Sequence, residues 1–538
     1  MQKPSSPPQQ SIESVALAIE SFLAEHARAV LLEDGRVLFD MRDSRYSLST
    51  EHGRCTLHLW NEDRNLVRRV VEATSRADTL RLATVRFGQT KPQLLELVSD
   101  PDRRTPTARD ATRKRYLKQL ERVLLRTFPD WKVDALRSAM DLERSFGPAY
   151  ARGVLLHGQH AWAIVAVNEE ESSTTIDNIL TIGVLWLQYC REHAGGRRLF
   201  QGLRIFVPRG AAALTLSRMA WLKPQIAQWE LYELDTRTEE VEQRDINDTG
   251  NLSTRLLHAP NMAAAHERFA QNIAQVMDIL PDAMRPIVEL RLRSSTELAF
   301  LLHGLEFARV RQSLAANSFN RIAEVTFGAA QNETPLTEET EPMLRSLVGR
   351  LFSRRHAAGS GKDPLYRMQP ERWLESILRR DVGVLTSGSP SLMQFDAEHI
   401  YTQVPAFAAA DRGMLDLLTV TRDGRLSVLE LKADEDMHFA LQGLDYWIRV
   451  RWHHTQSVDP TTGLGVFQQH GYFPSLRLSP EPPRLYLIAP SLWIHPATEV
   501  ILRYLKPEVE WTLLALGEHW RSEIKVIFKR RSVDLVHL

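Results

Sequence analysis

The chain has 538 residues, so at roughly 150 residues per domain it is expected to hold several cores rather than one. Its 67 Lys and Arg balance 67 Asp and Glu, with 43% hydrophobic and 25% charged residues. That balance excludes wholesale disorder, a coiled-coil rod and a global basic signature for nucleic acid, although a local patch can still bind phosphate.

Residues 1–10 (MQKPSSPPQQ) are Pro-, Ser- and Gln-rich and read as a disordered tail, with no apolar segment after Lys3. From Ile12, SIESVALAIESFLAEH has helical spacing, with Ser11 as N-cap and Glu13 in the first turn; residues 11–110 read as an α+β domain closed by the polar linker DPDRRTPTARD. Residues 111–240 read as α/β: a helix (KRYLKQLERVLLRTF), two strands turning at His157-Gly158, a helix, a strand, a helix and a strand. Residues 241–330 read as mainly helical around the strand IVELRL, and 331–363 as a linker whose HAAGSGK lacks the context of a phosphate-binding loop.

The last unit, 364–538, repeats the order of the second. LERVLLR (120–126) matches LESILRR (374–380), and the interval from Pro208 to Trp229 equals that from Pro490 to Trp511, each enclosing Leu-Lys-Pro. Several matches in one order predict an internal duplication. Cys55 and Cys190 are too few for a disulfide framework or a Cys-rich zinc site, and no apolar run reaches the about 18 residues of a membrane helix, so a cytoplasmic protein without a membrane partner is expected.

The chemistry concentrates in MLDLLTVTRDGRLSVLELK. Arg422-Asp423-Gly424 suits a three-residue hairpin loop with Gly in the left-handed position; pairing Thr421 with Arg425 then sets Asp416 opposite Glu430, and the period of two puts Lys432 on the same face. Two carboxylates and an amine on apolar strands need a reason to be buried. A divalent cation supplies one: Asp416, Glu430 and the Leu431 carbonyl are oxygen ligands suited to Mg²⁺, and Lys432 is placed to orient or deprotonate an attacking water. A structural ion pair is the competing reading. On the helix that follows, His438, Gln442, Asp445 and Arg449 recur on one edge, while Arg449, Arg451, His453 and His454, with a second basic cluster at Lys525, Lys529, Arg530 and Arg531, are candidates to follow a nucleic-acid backbone.

Asp416, Glu430 and Lys432, with Gln442-Gly443-Leu444-Asp445-Tyr446 after them, resemble the PD-(D/E)XK nuclease superfamily over about residues 371–516. The resemblance implies a restriction-endonuclease-like fold and metal-dependent phosphodiester cleavage with Mg²⁺ or Mn²⁺, on DNA more than RNA. It also adds Glu375, on the preceding helix, and Gln442 to the catalytic set; Tyr446 joins Arg449 and Arg451 of the basic edge as a candidate contact to nucleic acid. Gly413-Met414-Leu415 departs from the family's frequent Pro before the first Asp. The expected fold is thus α/β and multidomain, with a C-terminal restriction-endonuclease-like mixed-sheet domain and a degenerate copy in the first half. Aligning Gly158 with Gly424 sets Tyr150, Ile164 and Ala166 at the positions of Asp416, Glu430 and Lys432, and leaves Glu121 opposite Glu375, so the copy is expected to be inactive. The rival function is a catalytically silent nucleic-acid-binding or scaffold protein that keeps the nuclease fold.

Overall fold

The computed structural model describes residues 11–26, 29–33, 36–41, 44–50, 54–61, 65–76, 79–85, 92–99, 106–141, 145–196, 198–248, 254–314, 321–329, 334–389, 391–407, 414–456 and 458–535. The tail expected at 1–10 lies outside them. The chain divides into two compact, discontinuous units: residues 1–105 with 260–376, and 106–259 with 377–538. It is a mixed α/β protein with several multi-stranded sheets. Among the described residues no helix is long and apolar enough to cross a membrane.

In the first unit, Ser11 caps the helix Ile12–Glu25 by accepting a hydrogen bond from Ser14 N at 3.2 Å. Val15, Ile19 and Phe22 bury one stripe of that helix against an antiparallel seven-stranded sheet. The remainder corrects two expectations. Within the span expected to be mainly helical and just beyond it, Val288–Ser294, Glu297–Leu302, Leu305–Leu314, Arg321–Phe327 and Thr334–Pro335 form a five-stranded antiparallel sheet. The apolar run LAFLLHGLEFARV carries a turn at His303-Gly304, both with positive φ (47° and 76°), which folds it into two strands where its length suggested one helix. Within the expected linker, Glu341–Arg354 is a helix that contributes Leu344, Val348 and Leu351 to the core. The polar linker before the second unit is likewise shortened, because a helix runs Pro106–Thr127.

The second unit contains two lobes. In the first, the strands Lys132–Arg137, Tyr150–His157, His160–Val167, Leu199–Pro208, Gln228–Leu234 and Val241–Arg244 lie side by side in chain order. In the second, Tyr401–Phe407, Met414–Val420, Leu426–Leu431, Arg484–Pro490, Trp511–Leu516 and Val526–Arg531 do the same, with Arg255–Leu256 added at the edge. Both sheets run antiparallel, antiparallel, parallel, parallel, antiparallel.

The correspondence extends to single atoms. A helix follows each central hairpin, Ile179–His193 and Phe439–His454. A Cβ on Gly183 would lie 2.8 Å from Leu203 Cδ2, and one on Gly443 would lie 2.5 Å from Leu487 Cδ2, so each glycine lets its helix approach the neighbouring parallel strand. The lobes meet along their Leu-Lys-Pro segments. Leu222 pairs with Leu505, Lys223 N donates to Tyr504 O at 2.8 Å, and Lys506 N donates to Trp221 O at 2.8 Å.

Candidate active site

The hairpin of the second lobe is built from strands whose residues are almost all buried, which favours their apolar, β-branched and leucine-rich sequence. Its register runs from Leu417 opposite Leu429 to Val420 opposite Leu426, and Thr421 N donates to Arg425 O at 2.9 Å. Gly424 takes the left-handed conformation, φ 81°. Arg484 clamps the loop through Asp423 at 3.0 Å and Glu510 at 3.3 Å. Continuing that register sets Asp416 opposite Glu430, and Asp416 Oδ2 accepts the Leu431 N–H at 2.9 Å. Glu430 is 3% exposed. Lys432 Nζ lies 3.7 Å from Glu430 Oε1 and 3.7 Å from Asp436 Oδ2, so two acidic groups complement its charge.

Across the edge of the sheet, the ladder between Tyr401–Phe407 and Met414–Val420 has Val404 opposite Leu415 and Thr402 opposite Leu417. Gln403 therefore faces Asp416, and it holds a left-handed backbone, φ 52°, with its side chain buried. A non-glycine residue in that region carries about 1–3 kcal/mol of strain, which is retained where surrounding structure over-determines it. Nothing in the sequence around Gln403 signals this.

The helix Phe439–His454 covers the same face, where Gly443 lies against Leu487, Leu485 and Glu430. Tyr446, one turn beyond Gln442, stands close enough to Glu430 and Asp416 that burial, followed by those two charges, raises its phenol pKa. Two groups from the first lobe fasten this helix. Arg218 grips Asp445 in a two-pronged pair, Nε to Oδ1 at 2.9 Å and Nη2 to Oδ2 at 2.7 Å. His438 Nδ1 lies 2.9 Å from Thr181 Oγ1. Burial pushes the His438 pKa down to about 4, against the raising effect of Asp436 and aided by Arg218 and His495.

The structure therefore brings Asp416, Glu430, Lys432 and Tyr446 together, with Gln442 one turn before Tyr446. It places other expected residues differently. Glu375, 1% exposed, belongs to the first unit, where Arg291 meets it at 2.9 Å and Arg372 at 3.1 Å. Its helix, Pro370–Arg380, straddles the division between units, which helical periodicity does not reveal. Arg449 is 3% exposed, and Arg451 stacks over Trp221 of the first lobe with 4.5 Å from guanidinium carbon to ring centre. The Arg449 guanidinium lies 5.7 Å from the Tyr446 ring centre of its own helix, and Arg451 faces a packed surface because that helix edge abuts the first lobe. In the C-terminal basic cluster, Arg530 pairs with Glu499, Arg531 with Asp534 at 2.6 Å, and Lys529 donates to Ser391 at 2.6 Å.

The first lobe's counterpart also shifts. Its hairpin pairs His157 with His160 across a two-residue loop, one residue shorter than Arg422-Asp423-Gly424. Val165 lies beside Ile205 as Glu430 lies beside Leu487, and Val165 faces Arg152. The positions of Asp416, Glu430 and Lys432 thus fall on Arg152, Val165 and Val167, where the glycine alignment had set Tyr150, Ile164 and Ala166. Arg152 is buried, its guanidinium 4.4 Å from the Phe146 ring centre and 5.8 Å from that of Trp186. A cation stands where the second lobe has a carboxylate.

No protein-family model matches this chain, and no curated protein matches it.

Proposed function

We propose that the second lobe is a metal-dependent phosphodiesterase acting on DNA, of the restriction-endonuclease-like type, and that the first lobe is its degenerate copy. The observation that carries this reading is the hairpin: Asp416 and a buried Glu430 face each other, with Lys432 3.7 Å from Glu430 and Tyr446 closing the same face. The donor set suits Mg²⁺ or Mn²⁺. Asp416, Glu430 and the Leu431 carbonyl offer hard oxygens, and the waters and phosphate oxygen that such ions prefer would complete the set. When bound, the ion supplies Lewis-acid activation of the phosphoryl group and charge neutralisation.

The protein's own part is positional. Asp416 is fixed by the Leu431 N–H, and Lys432, flanked by Glu430 and Asp436, is placed to orient or deprotonate the attacking water. Matching strand order, pairing sense and seam contacts support the duplication, and Arg152 in place of Asp416 supports silence of the first site.

The test is a cleavage titration with Mg²⁺ on single-stranded and duplex DNA. Asp416→Asn and Glu430→Gln are expected to abolish cleavage with unchanged circular dichroism. Lys432→Ala is expected to lower turnover about 10²- to 10⁴-fold with DNA affinity nearly unchanged. A wild-type protein that binds DNA but leaves every substrate intact with Mg²⁺ and Mn²⁺ establishes the silent binding protein instead.

A further inference from the structure

The strand Arg484–Pro490 runs parallel to Leu426–Leu431, so it ends at the sheet edge where Lys432 emerges. Beyond it, Ser491–Trp493 form a single 3₁₀ turn before the helix Pro496–Tyr504. Leu492 is 79% exposed and Trp493 45% exposed. The turn is held firmly: Glu518 Oε1 accepts Leu492 N at 2.9 Å and Ser491 Oγ at 3.2 Å, while His495 Nδ1 accepts Ala497 N at 3.0 Å. His495 also reaches Ser145 of the first lobe, Nε2 to Oγ at 3.1 Å, and its charge is felt by His438 at the start of the site helix. The apolar pair is thus presented at the rim of the carboxylate site.

Two comparisons within the molecule give this turn a purpose. Counting from Pro208 as from Pro490, the first lobe has Arg209-Gly210-Ala211 in the same place, so the large apolar side chains accompany the acids and are missing where the acids are missing. Of the cations on the site helix expected to grip a phosphate backbone, Arg449 is buried and Arg451 stacks over Trp221. Base stacking, which every base can provide, is a further source of affinity for nucleic acid at this rim.

We propose that Leu492 and Trp493 form a wedge that stacks on unpaired bases of single-stranded DNA entering the Asp416–Glu430 site; this rests on the phosphodiesterase reading. A planar indole and a branched aliphatic tip suit an exposed base face, whereas in an intact duplex that face is covered and must first be unstacked.

The experiment uses the full chain without divalent metal and measures anisotropy with a labelled single strand and with a blunt duplex of the same sequence. Wild type is expected to bind the single strand more tightly. The Leu492→Ala/Trp493→Ala pair is expected to weaken that binding about 10- to 100-fold while changing duplex binding little, the scale of losing one or two stacked bases. Trp493→Phe, which keeps a ring, is expected to retain most of the affinity, and quenching of Trp493 fluorescence by the single strand should vanish in Trp493→Phe. Wild-type binding that the double variant leaves unchanged, or weakens equally for duplex, overturns the wedge and leaves the phosphodiesterase reading standing. Absence of binding to either DNA, together with absence of cleavage, overturns both.

Discussion

His438 opens the helix that carries Gln442 and Tyr446, and it is held neutral. Burial, with Arg218 and His495 nearby, outweighs Asp436 and sets its pKa near 4; burial with His470 does the same for His453. A histidine near 6.5 in the unfolded chain therefore binds its proton before the folded one does. Its contribution to stability is full above about pH 6.5 and is lost as pH falls toward 4, by about 1.4 kcal/mol per pH unit for each histidine within that window. Urea titrations at pH 7 and pH 5 should show this loss, and a His438→Gln/His453→Gln variant should show a flatter profile. At this scale Asp416, Glu430 and Lys432 were legible because a strand's period of two and a glycine-marked loop fix which side chains share a face. Gln403, Asp436 and Arg218 were not: one depends on a backbone conformation, one on a loop's return path, and one on a residue 227 positions away from its partner.

Among elements, the two helices behind the hairpins rest on glycine. Gly443→Ala places a methyl 2.5 Å from Leu487 Cδ2, 3.2 Å from Leu485 Cδ1 and 3.6 Å from Glu430 Cβ. Either the buried Leu487 side chain gives way or the helix retreats, at a cost of about 1–3 kcal/mol, and a retreating helix takes Tyr446 with it. Gly183→Ala meets Leu203 Cδ2 at 2.8 Å and should cost stability on the same scale. Thermal unfolding and turnover of the two variants should therefore separate: both lower the melting temperature, and Gly443→Ala alone lowers turnover at a temperature where both stay folded. The order of strands and helices in these lobes was readable from alternation, apolar runs and the repeated Leu-Lys-Pro. The registers were less so, since His157-Gly158-Gln159-His160 closes its hairpin with one residue fewer than the other loop and shifts every later position. The run from Leu298 to Val310 misled because uninterrupted apolar residues suit a buried helix and a buried strand alike; only His303-Gly304 decides between them.

For the whole molecule, the interleaving of the chain between two units was invisible to composition. The crossing near Pro106 falls within the polar stretch DPDRRTPTARD that reads as a linker, whereas the return near Ile377 lies inside the helix Pro370–Arg380, which looks continuous in sequence. The pairing of Leu222 with Leu505, flanked by mirrored hydrogen bonds from Lys223 and Lys506, gives the second unit the interface of a two-fold dimer inside one polypeptide. Two-fold frames commonly address the two antiparallel strands of a duplex with one centre each. Here one position of the pair holds Asp416 and the other Arg152, so on the phosphodiesterase reading a single encounter is expected to sever a single strand. Supercoiled plasmid given to this protein should then accumulate as open circles well before any linear form, and the delay should lengthen as the protein is diluted.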